Sequence, residues 1–228
     1  MTGLTDSLAD LAVRLDGLDV CAISDALDAL RLPGAVAGIL PVWEGARVAG
    51  RAVTMTVTTA PGQRADRHLG AAAIDRARPG EVIVVHQQRS ADGTLASAAW
   101  GGLLARAAQL RAIGGVVIDG ACRDVDEIRE IGLPVSARAV LPFTARRRCI
   151  ETAVGADVVI DSVTVATGDV VLADATGTAF VRAADLDAVL ARARRLLARE
   201  QLMIADLTGG AAASDVLGRD YEDILDEH

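Results

Sequence analysis

The sequence predicts a layered α/β fold, and two observations support that prediction. Apolar residues at helical spacing alternate along the chain with short runs of β-branched residues. Hydrophobic residues make up 51% of the chain but aromatic residues only 2%, so the core is expected to consist of Val, Leu, Ile and Ala, as in many parallel or mixed sheets. No Pro/Ser-rich linker divides the 228 residues, so residues 1–228 are expected to form a single domain.

The order of helices and strands follows from periodicity and from stop signals such as Pro79-Gly80. Helices are predicted at residues 7–15, 19–30, 64–78 and 98–112, and from 185 to 204. Strands are predicted at residues 48–58, 82–85, 115–119, 134–137, 157–160, 170–173 and 178–182. An acidic tail ends the sequence.

Charge and cysteine content disfavour several classes of function. The net charge of −8 argues against nucleic-acid binding, and Arg146–Arg148, the one basic cluster, is interpreted as a solvated or interface loop. Three cysteines without CxxC spacing argue against a disulfide framework and a structural zinc site. Neither a secretory signal nor a transmembrane span is visible, so we expect a cytoplasmic protein that does not bind membranes.

The absence of lysine has a chemical consequence, because all 23 Lys and Arg residues are arginine. A Schiff-base lysine, a pyridoxal-phosphate anchor and a P-loop lysine are therefore excluded. Any carbanion chemistry needs another electrophile.

One segment, GGVVIDGACRDVDE at residues 114–127, places charged groups at the end of a buried strand. Gly120 is expected to allow a tight turn that delivers Arg123 and Asp124 side by side. Asp124 and Glu127 then fall at the start of a helix, where carboxylates suit the positive end of the helix dipole. These residues alone leave two interpretations open: a capped helix with a surface ion pair, or a functional site.

The longer run AAWGGLLARAAQLRAIGGVVIDGACRDVDEI, from Ala98 to Ile128, resembles the signature of the family related to regulator of ribonuclease activity A. That family includes divalent-metal-dependent 4-hydroxy-4-methyl-2-oxoglutarate/4-carboxy-4-hydroxy-2-oxoadipate aldolases, and many members were formerly called dimethylmenaquinone methyltransferases. The resemblance implies a swivelling ββα sandwich and a trimeric ring. Four further segments follow in the family's order: ISDALDAL at 23–30, VAGRAVTM at 48–55, ARPGEVIVV at 77–85 and TGDVVLADATGTAFV at 167–181.

Substrate binding is expected at Gly101 and Gly102, which precede Leu103 and Leu104 on a helical pattern. The free amides of a helix N-terminus bind carboxylates, although Gly and Ala also favour close helix packing, and the resemblance favours the carboxylate cradle. Aldolases of the family often carry an acidic residue where Gly102 stands. Arg123 offers a fork of donors to a 2-oxo carboxylate, and the resemblance implies that it stabilises the enolate.

A metal site is expected around Asp124, because a carboxylate is a hard ligand suited to Mg²⁺ or Mn²⁺. Glu127 matches a further acidic position of the family and either orients metal-bound waters or is a solvated first-turn residue. Glu200 matches a family glutamate that reaches the metal waters of a neighbouring subunit. The helix from about 185 is accordingly expected at an interface of a homotrimer or a dimer of trimers.

Three other residues receive separate interpretations. His86 and Arg89, in the segment HQQR after a predicted strand, are treated as specificity residues at the pocket mouth, with a solvated or structural histidine as the alternative. Cys122 lies beside Arg123 without a histidine partner in sequence, so it is interpreted as a packing residue.

The combined expectation is a metal-dependent (class II) aldolase or decarboxylase, a carbon–carbon lyase acting on small 2-oxo acids. Retro-aldol cleavage of a 4-hydroxy-2-oxo acid and decarboxylation of oxaloacetate both release a pyruvate enolate. The alternative is a non-catalytic regulatory binding protein of the ribonuclease-regulator type, which by the resemblance lacks the aspartate found here as Asp124. A methyltransferase is disfavoured, because VVIDGACRD has a single glycine and no Gly-x-Gly loop.

Overall fold

The computed structural model describes residues 8–218. The helices in this range are α1 (Leu8–Leu15), α2 (Val20–Ala29), α3 (Ala71–Arg76), α4 (Gly102–Leu110), α5 (Val125–Ile131), α6 (Leu186–Thr208) and α7 (Ala213–Val216). The strands are β1 (Ala35–Val36), β2 (Leu40–Pro41), β3 (Val48–Thr59), β4 (Val82–Gln87), β5 (Gly115–Cys122), β6 (Val135–Val140), β7 (Cys149–Val154), β8 (Val158–Ile160), β9 (Val163–Val165), β10 (Val170–Ala173) and β11 (Thr178–Val181). Over the same residues, no helix is long and apolar enough to cross a membrane.

A mixed sheet organises the described residues. Its strand order is β1-β11-β10-β3-β4-β5-β6-β2, with β7 paired to β3, while β8 and β9 form a separate hairpin. The centre, from β3 through β6, is parallel, and the other pairings are antiparallel. Every residue of β5 is buried, as expected for a parallel strand that is covered on both faces.

Three apolar clusters surround this sheet. Helices α3, α4 and α5 cover one face of the central strands, where Trp100 is the largest fully buried side chain. The β8–β9 hairpin covers the opposite face. Helices α1, α2 and α6 pack on β10 and β11. Successive residues of β10 alternate between the last two clusters, because neighbouring side chains of a strand point to opposite faces.

The α/β prediction is confirmed, with differences at three places. The helix predicted at 64–78 spans only Ala71–Arg76, because Gly70 at φ +80° precedes it and the residues before Gly70 form a loop. The helix predicted at 98–112 begins at Gly102, since Trp100 pairs instead with the strand residue Cys122. Strands β1, β2, β7 and β9 were not predicted; three of them are only two or three residues long.

The turn predicted at Gly120 is wrong, because β5 continues through Cys122 with an irregular register between Ile118 and Ala121. Glycine is needed there for space. A Cβ at position 120 would lie 2.5 Å from Oε1 of Gln87. The buried Gln87 amide accepts a hydrogen bond from the Ala121 N–H at 3.0 Å and donates one to the Ser97 carbonyl at 2.7 Å.

A charged network lies on the sheet face covered by the hairpin. The Asp119 carboxylate is hydrogen-bonded to His86 Nδ1 at 2.9 Å and to Nε of Arg138. The Arg138 guanidinium also donates to Asp161 Oδ1 at 2.7 Å and to the Ala37 carbonyl at 3.0 Å. The network therefore ties β4, β5 and β6 to the β8–β9 turn and to the segment after β1.

Opposing effects act on the pKa of Asp119. Burial raises this pKa, but the hydrogen bonds from His86 and Arg138 and the charge of Arg138 outweigh it, so the pKa lies below the ordinary value of 3.8. A carboxyl group whose pKa is depressed by folding stabilises the folded state above its unfolded pKa. This contribution is lost as the pH falls from about 4 through the lower folded pKa.

We predict that Arg138→Ala lowers the free energy of unfolding at pH 7 by about 3 kcal/mol, because it leaves Asp119 a buried charge without its arginine. Urea denaturation followed by circular dichroism measures the change. Arg129→Ala is the matched control, because Arg129 forms an exposed pair with Asp126 and should cost less than about 1 kcal/mol. Equal losses in the two variants would contradict this account.

Candidate functional site

A cavity of about 570 Å³ opens where β5 ends and α4 begins. Its size lies in the range of small-molecule sites. Three chain segments and the end of β5 form its walls. The lining residues are Arg64, Ala65, Asp66, Arg67, His68, Leu69, Ala98, Ala99, Trp100, Gly101, Leu103, Leu104, Arg123, Asp124, Thr144, Ala145, Arg146, Arg147 and Cys149.

Backbone hydrogen bonds hold Arg123 and Asp124 at the wall of this cavity. The Arg123 N–H donates to the Trp100 carbonyl at 3.0 Å, which extends the sheet one residue past β5. Asp124 then adopts the left-handed conformation at φ +59° and begins α5. This conformation is unfavourable for most residues and tolerated best by Asn, Asp and Gly, so an aspartate suits the turn.

The Asp124 carboxylate contacts both its neighbour and the start of α4. Its Oδ2 accepts a hydrogen bond from the Gly102 N–H at 3.1 Å, and Arg123 Nε lies 3.1 and 3.2 Å from the two carboxylate oxygens. A Cβ on Gly101 would lie 2.9 Å from Oδ2, so glycine admits this approach. No other partner of Arg123 occurs among the described residues, which leaves its terminal guanidinium nitrogens for a ligand.

Glu127 lies against Gly102. A Cβ on Gly102 would overlap the Glu127 carboxylate, so this carboxylate occupies the space where a longer side chain at position 102 would begin. Glu127 is exposed, yet its carboxylate is packed beside the helix N-terminus that Asp124 contacts. The structure thus brings two carboxylates to two consecutive glycines, Asp124 to Gly101 and Glu127 to Gly102.

The N-terminus of α4 faces the same region. Gly101 is its N-cap and has no side chain to satisfy the first backbone donors. Leu103 and Leu104 line the cavity, and their N–H groups fall in the first turn, where no intrahelical acceptor exists. This helix end attracts an anion through both its free donors and its dipole.

The structure therefore brings only some of the predicted site residues together. Gly101, Leu103, Leu104, Arg123 and Asp124 line one cavity, and Gly102 and Glu127 lie directly beside it. No group of three or more potential metal ligands from His, Cys, Asp and Glu occurs within residues 8–218.

Glu200 lies elsewhere, on α6. Burial raises the pKa of Asp25 on α2, and the negative charges of Asp28 and Glu200 raise it further. Glu200 is therefore close to α2, not to the cavity of its own chain.

Two predicted specificity residues do not line the cavity. His86 belongs to β4 and points to the opposite face of the sheet, where it contacts Asp119. Arg89 donates to the Gly93 carbonyl at 3.4 Å. Because β4 extends two residues beyond Val85, His86 is a strand residue. This agrees with the alternative interpretation of His86 as a structural histidine. The placement of both residues at the pocket mouth is wrong.

The interpretation of Cys122 as a packing residue agrees with its surroundings. It is fully buried, and burial raises the pKa of its thiol to about 12, which disfavours the reactive thiolate.

Sequence reasoning missed the arginines of the cavity. Arg64 and Arg67 were placed on a helix, and Arg146 and Arg147 in a solvated or interface loop, but all four line the cavity. Their density was visible in the sequence. Their convergence was not, because it depends on β7 pairing with β3, which joins the ends of both loops.

Comparison with known proteins gives the family of this chain. The sequence pattern of the RraA-like family (Aldolase/RraA) matches residues 20–179. The chain therefore belongs to the RraA-like family.

Individual relatives agree with this assignment. Protein DlpA of Legionella pneumophila is 30% identical over 173 residues, 76% of this chain, which spans only 28% of that protein's length. A Halalkalibacterium halodurans protein provisionally named 4-hydroxy-4-methyl-2-oxoglutarate aldolase is 26% identical over 84% of this chain and 86% of its own. The structure of Streptomyces coelicolor RraAS2, described as an unusual member of the RNase ES inhibitor RraA family, has a TM-score of 0.72 at 25% identity and covers 84% of this chain and 94% of its own. The mixed sheet with its helices is thus the RraA-like fold.

Proposed function

We propose that this protein is a divalent-metal-dependent carbon–carbon lyase that cleaves small 2-oxo acids to release pyruvate. The observation that carries the proposal is the cavity wall on which Arg123, Asp124 and the N-terminus of α4 meet. A 2-oxo carboxylate and its metal ion require a cationic hydrogen-bond donor, a hard oxygen ligand and free backbone amides. The similarity of this chain to the Halalkalibacterium halodurans protein provisionally named as an aldolase supports the same reaction class.

The 2-oxo acid end of the substrate would be held at its carboxylate and at its keto oxygen. The amides of Leu103 and Leu104 face the carboxylate, and the free nitrogens of Arg123 bind the carboxylate or the keto oxygen. Because an arginine stays protonated at any working pH, Arg123 stabilises the negative charge that develops on the enolate oxygen.

The residues at this wall fit Mg²⁺ or Mn²⁺. Asp124 supplies an exposed carboxylate, and Glu127 a second one beside the adjacent glycine. Mg²⁺ commonly binds through one or two carboxylates and keeps several waters, so this donor set suffices without a full protein cage. When bound, the ion supplies the Lewis acidity that withdraws electrons from the 2-oxo group, which an iminium would supply in an enzyme with a catalytic lysine.

Both candidate reactions break the C3–C4 bond of the substrate. In the retro-aldol reaction a water takes the proton of the 4-hydroxyl group, C4 leaves as a carbonyl compound, and the electron pair of the broken C3–C4 bond forms the enolate that Arg123 stabilises. In oxaloacetate decarboxylation the same C3–C4 bond breaks and CO₂ leaves. Protonation at C3 completes pyruvate in both reactions. We assign to Glu127 the orientation of the water that carries this proton, in place of the acidic side chain that is absent at Gly102.

A regulatory binding protein is the second candidate function, and the likeness to RraAS2 favours it. Asp124 separates the two candidates, because a protein that only binds a partner surface needs no hard ligand inside a small cavity.

We predict pyruvate release from 4-hydroxy-2-oxo acids or from oxaloacetate with Mg²⁺, and its loss in excess EDTA. A lactate dehydrogenase-coupled assay measures it. Asp124→Ala should abolish turnover and Mn²⁺ binding in calorimetry, while the melting temperature changes little, since the variant loses one exposed hydrogen bond to the Gly102 N–H, worth about 1 kcal/mol. Glu127→Ala should weaken Mn²⁺ binding, and Asp126→Ala, whose carboxylate pairs with Arg129, is the control. Full turnover in EDTA, or no turnover of any of these substrates with Mg²⁺, would rule out the proposed reaction.

We predict that Arg123→Lys keeps the charge but lowers kcat roughly 10²-fold, because lysine lacks the planar fork. Steady-state kinetics with the best substrate of the panel measure the change. A normal kcat with only a raised KM would instead assign Arg123 to ground-state binding.

Glu200 enters the proposal through a second subunit. The end of α6 exposes apolar residues, with Leu202 68% and Ile204 46% accessible, as expected for a helix that packs on another copy. We therefore propose a homotrimer in which Glu200 completes the neighbour's site.

Mixing inactive Asp124→Ala and Glu200→Ala subunits should then restore part of the activity, because some interfaces combine two intact residues. Subunit exchange is verified by mass spectrometry of the mixed oligomers. No recovery after verified exchange would count against a shared site.

A further inference from the structure

His68 lines the same cavity as Arg123 and Asp124, in the segment between β3 and α3. None of the steps above uses this side chain. We propose that His68 is the general base of the retro-aldol reaction, in which its Nε2 atom accepts the proton of the 4-hydroxyl group through the water that takes it. This inference rests on the proposed function and adds a residue to it.

A hydrogen bond fixes the tautomer of the His68 ring. Nδ1 lies 2.8 Å from the backbone carbonyl oxygen of Leu69. Because a carbonyl oxygen can only accept, Nδ1 carries the proton, and Nε2 of the neutral ring keeps a free lone pair. No partner of Nε2 occurs within residues 8–218. A histidine that acts as a base needs this arrangement, in which one nitrogen is held and the other is free to take a proton.

Packing holds His68 beside the start of α4. A Cβ on Gly70 would lie 3.1 Å from Leu104 Cδ1 and 3.2 Å from Trp100 Cζ3, so the backbone after His68 rests on two residues that themselves line the cavity. The Gly70 N–H also donates to Oε2 of Glu151 at 2.8 Å, and the side chain of Glu151 is buried. The imidazole is thus anchored next to the free amides that would hold the substrate carboxylate.

The other titratable groups of the cavity are poorer bases for this step. Its arginines stay protonated at any working pH and cannot accept a proton. The Cys149 thiol is buried and hydrogen-bonded to Ser97 Oγ at 3.1 Å. Asp124 is assigned to the metal ion, and a carboxylate such as Asp66 is a weaker base than an imidazole. Histidine is the side chain that exchanges protons near neutral pH, which favours His68.

The two candidate reactions differ at this step. In the retro-aldol reaction the 4-hydroxyl proton passes through the water to Nε2, C4 becomes a carbonyl carbon, and the C3–C4 electron pair enters the enolate. The imidazolium then returns the proton to solvent, because His68 is exposed. Oxaloacetate has no 4-hydroxyl group, so its C4 leaves as CO₂ without loss of a proton. His68 is therefore required for one reaction and dispensable for the other.

Matched kinetics of the two reactions test this role. Pyruvate release is measured with Mg²⁺ from 4-hydroxy-4-methyl-2-oxoglutarate and from oxaloacetate, and circular dichroism verifies that each variant is folded. His68→Gln should lower kcat for the first substrate about 10²-fold and change kcat for the second by less than about twofold. His86→Gln is the matched control, because His86 faces the other side of the sheet, and it should leave both reactions unchanged.

Two further measurements separate a base from a structural residue. Exchange of the methyl protons of pyruvate in D₂O, followed by NMR, needs enolate formation but no 4-hydroxyl group, so its rate should be unchanged in His68→Gln. Mn²⁺ binding in calorimetry should also be unchanged, because His68 is not assigned to the metal ion. A residue that only supported the cavity would affect both measurements together with cleavage.

Equal losses in the two reactions, no loss in either, or a loss of exchange or of Mn²⁺ binding in His68→Gln would overturn the role of His68 and leave the proposed function intact. A wild type that acts on oxaloacetate alone would also overturn it. Absence of pyruvate release from both substrates in the wild type would instead contradict the proposed function, and the role of His68 with it.

Discussion

The candidate site depends on one short pairing, between the segment that precedes α4 and the end of β5. The Ala99 N–H donates to the Ala121 carbonyl at 2.7 Å, and the Arg123 N–H to the Trp100 carbonyl at 3.0 Å. These bonds place the start of a helix beside the end of a strand. The free donors of the helix and the charged pair after the strand then face one cavity. Without this pairing, the same residues would be a helix cap and a surface ion pair.

Two glycines set how closely the groups meet. The missing side chain of Gly101 admits the Asp124 carboxylate, and that of Gly102 admits the Glu127 carboxylate. Gly101, the N-cap of α4, supplies no capping side chain, so the Gly102 N–H is satisfied by the Asp124 carboxylate instead. The Leu103 and Leu104 N–H groups of the same first turn have no intrahelical acceptor, which leaves them available to a ligand.

The parallel sheet separates structural charge from the charge of the site. His86 and Asp119 occupy paired positions on β4 and β5 and face the β8–β9 hairpin, where Arg138 neutralises the buried carboxylate. Gln87, one residue further along β4, lies on the opposite face, where its amide contacts the Ser97 carbonyl and the Cys149 thiol. Alternation along a strand thus decides which face of the sheet a polar side chain joins.

The sequence by itself determined the α/β class, most helices and strands, the absence of lysine chemistry, and the Arg123-Asp124 pair at a strand end. These properties are local, since periodicity, glycine positions and residue chemistry are written in consecutive residues. Only the tertiary structure decided that Glu127 fills the space beside Gly102, that His86 faces away from the cavity, and that Arg64 joins Arg146 and Arg147. Each of these depends on contacts between distant segments, through the pairing of β7 with β3 and the helices packed on β5. Sequence spacing contains no measure of such distances, because strand register and face are set by the pairing of the whole sheet.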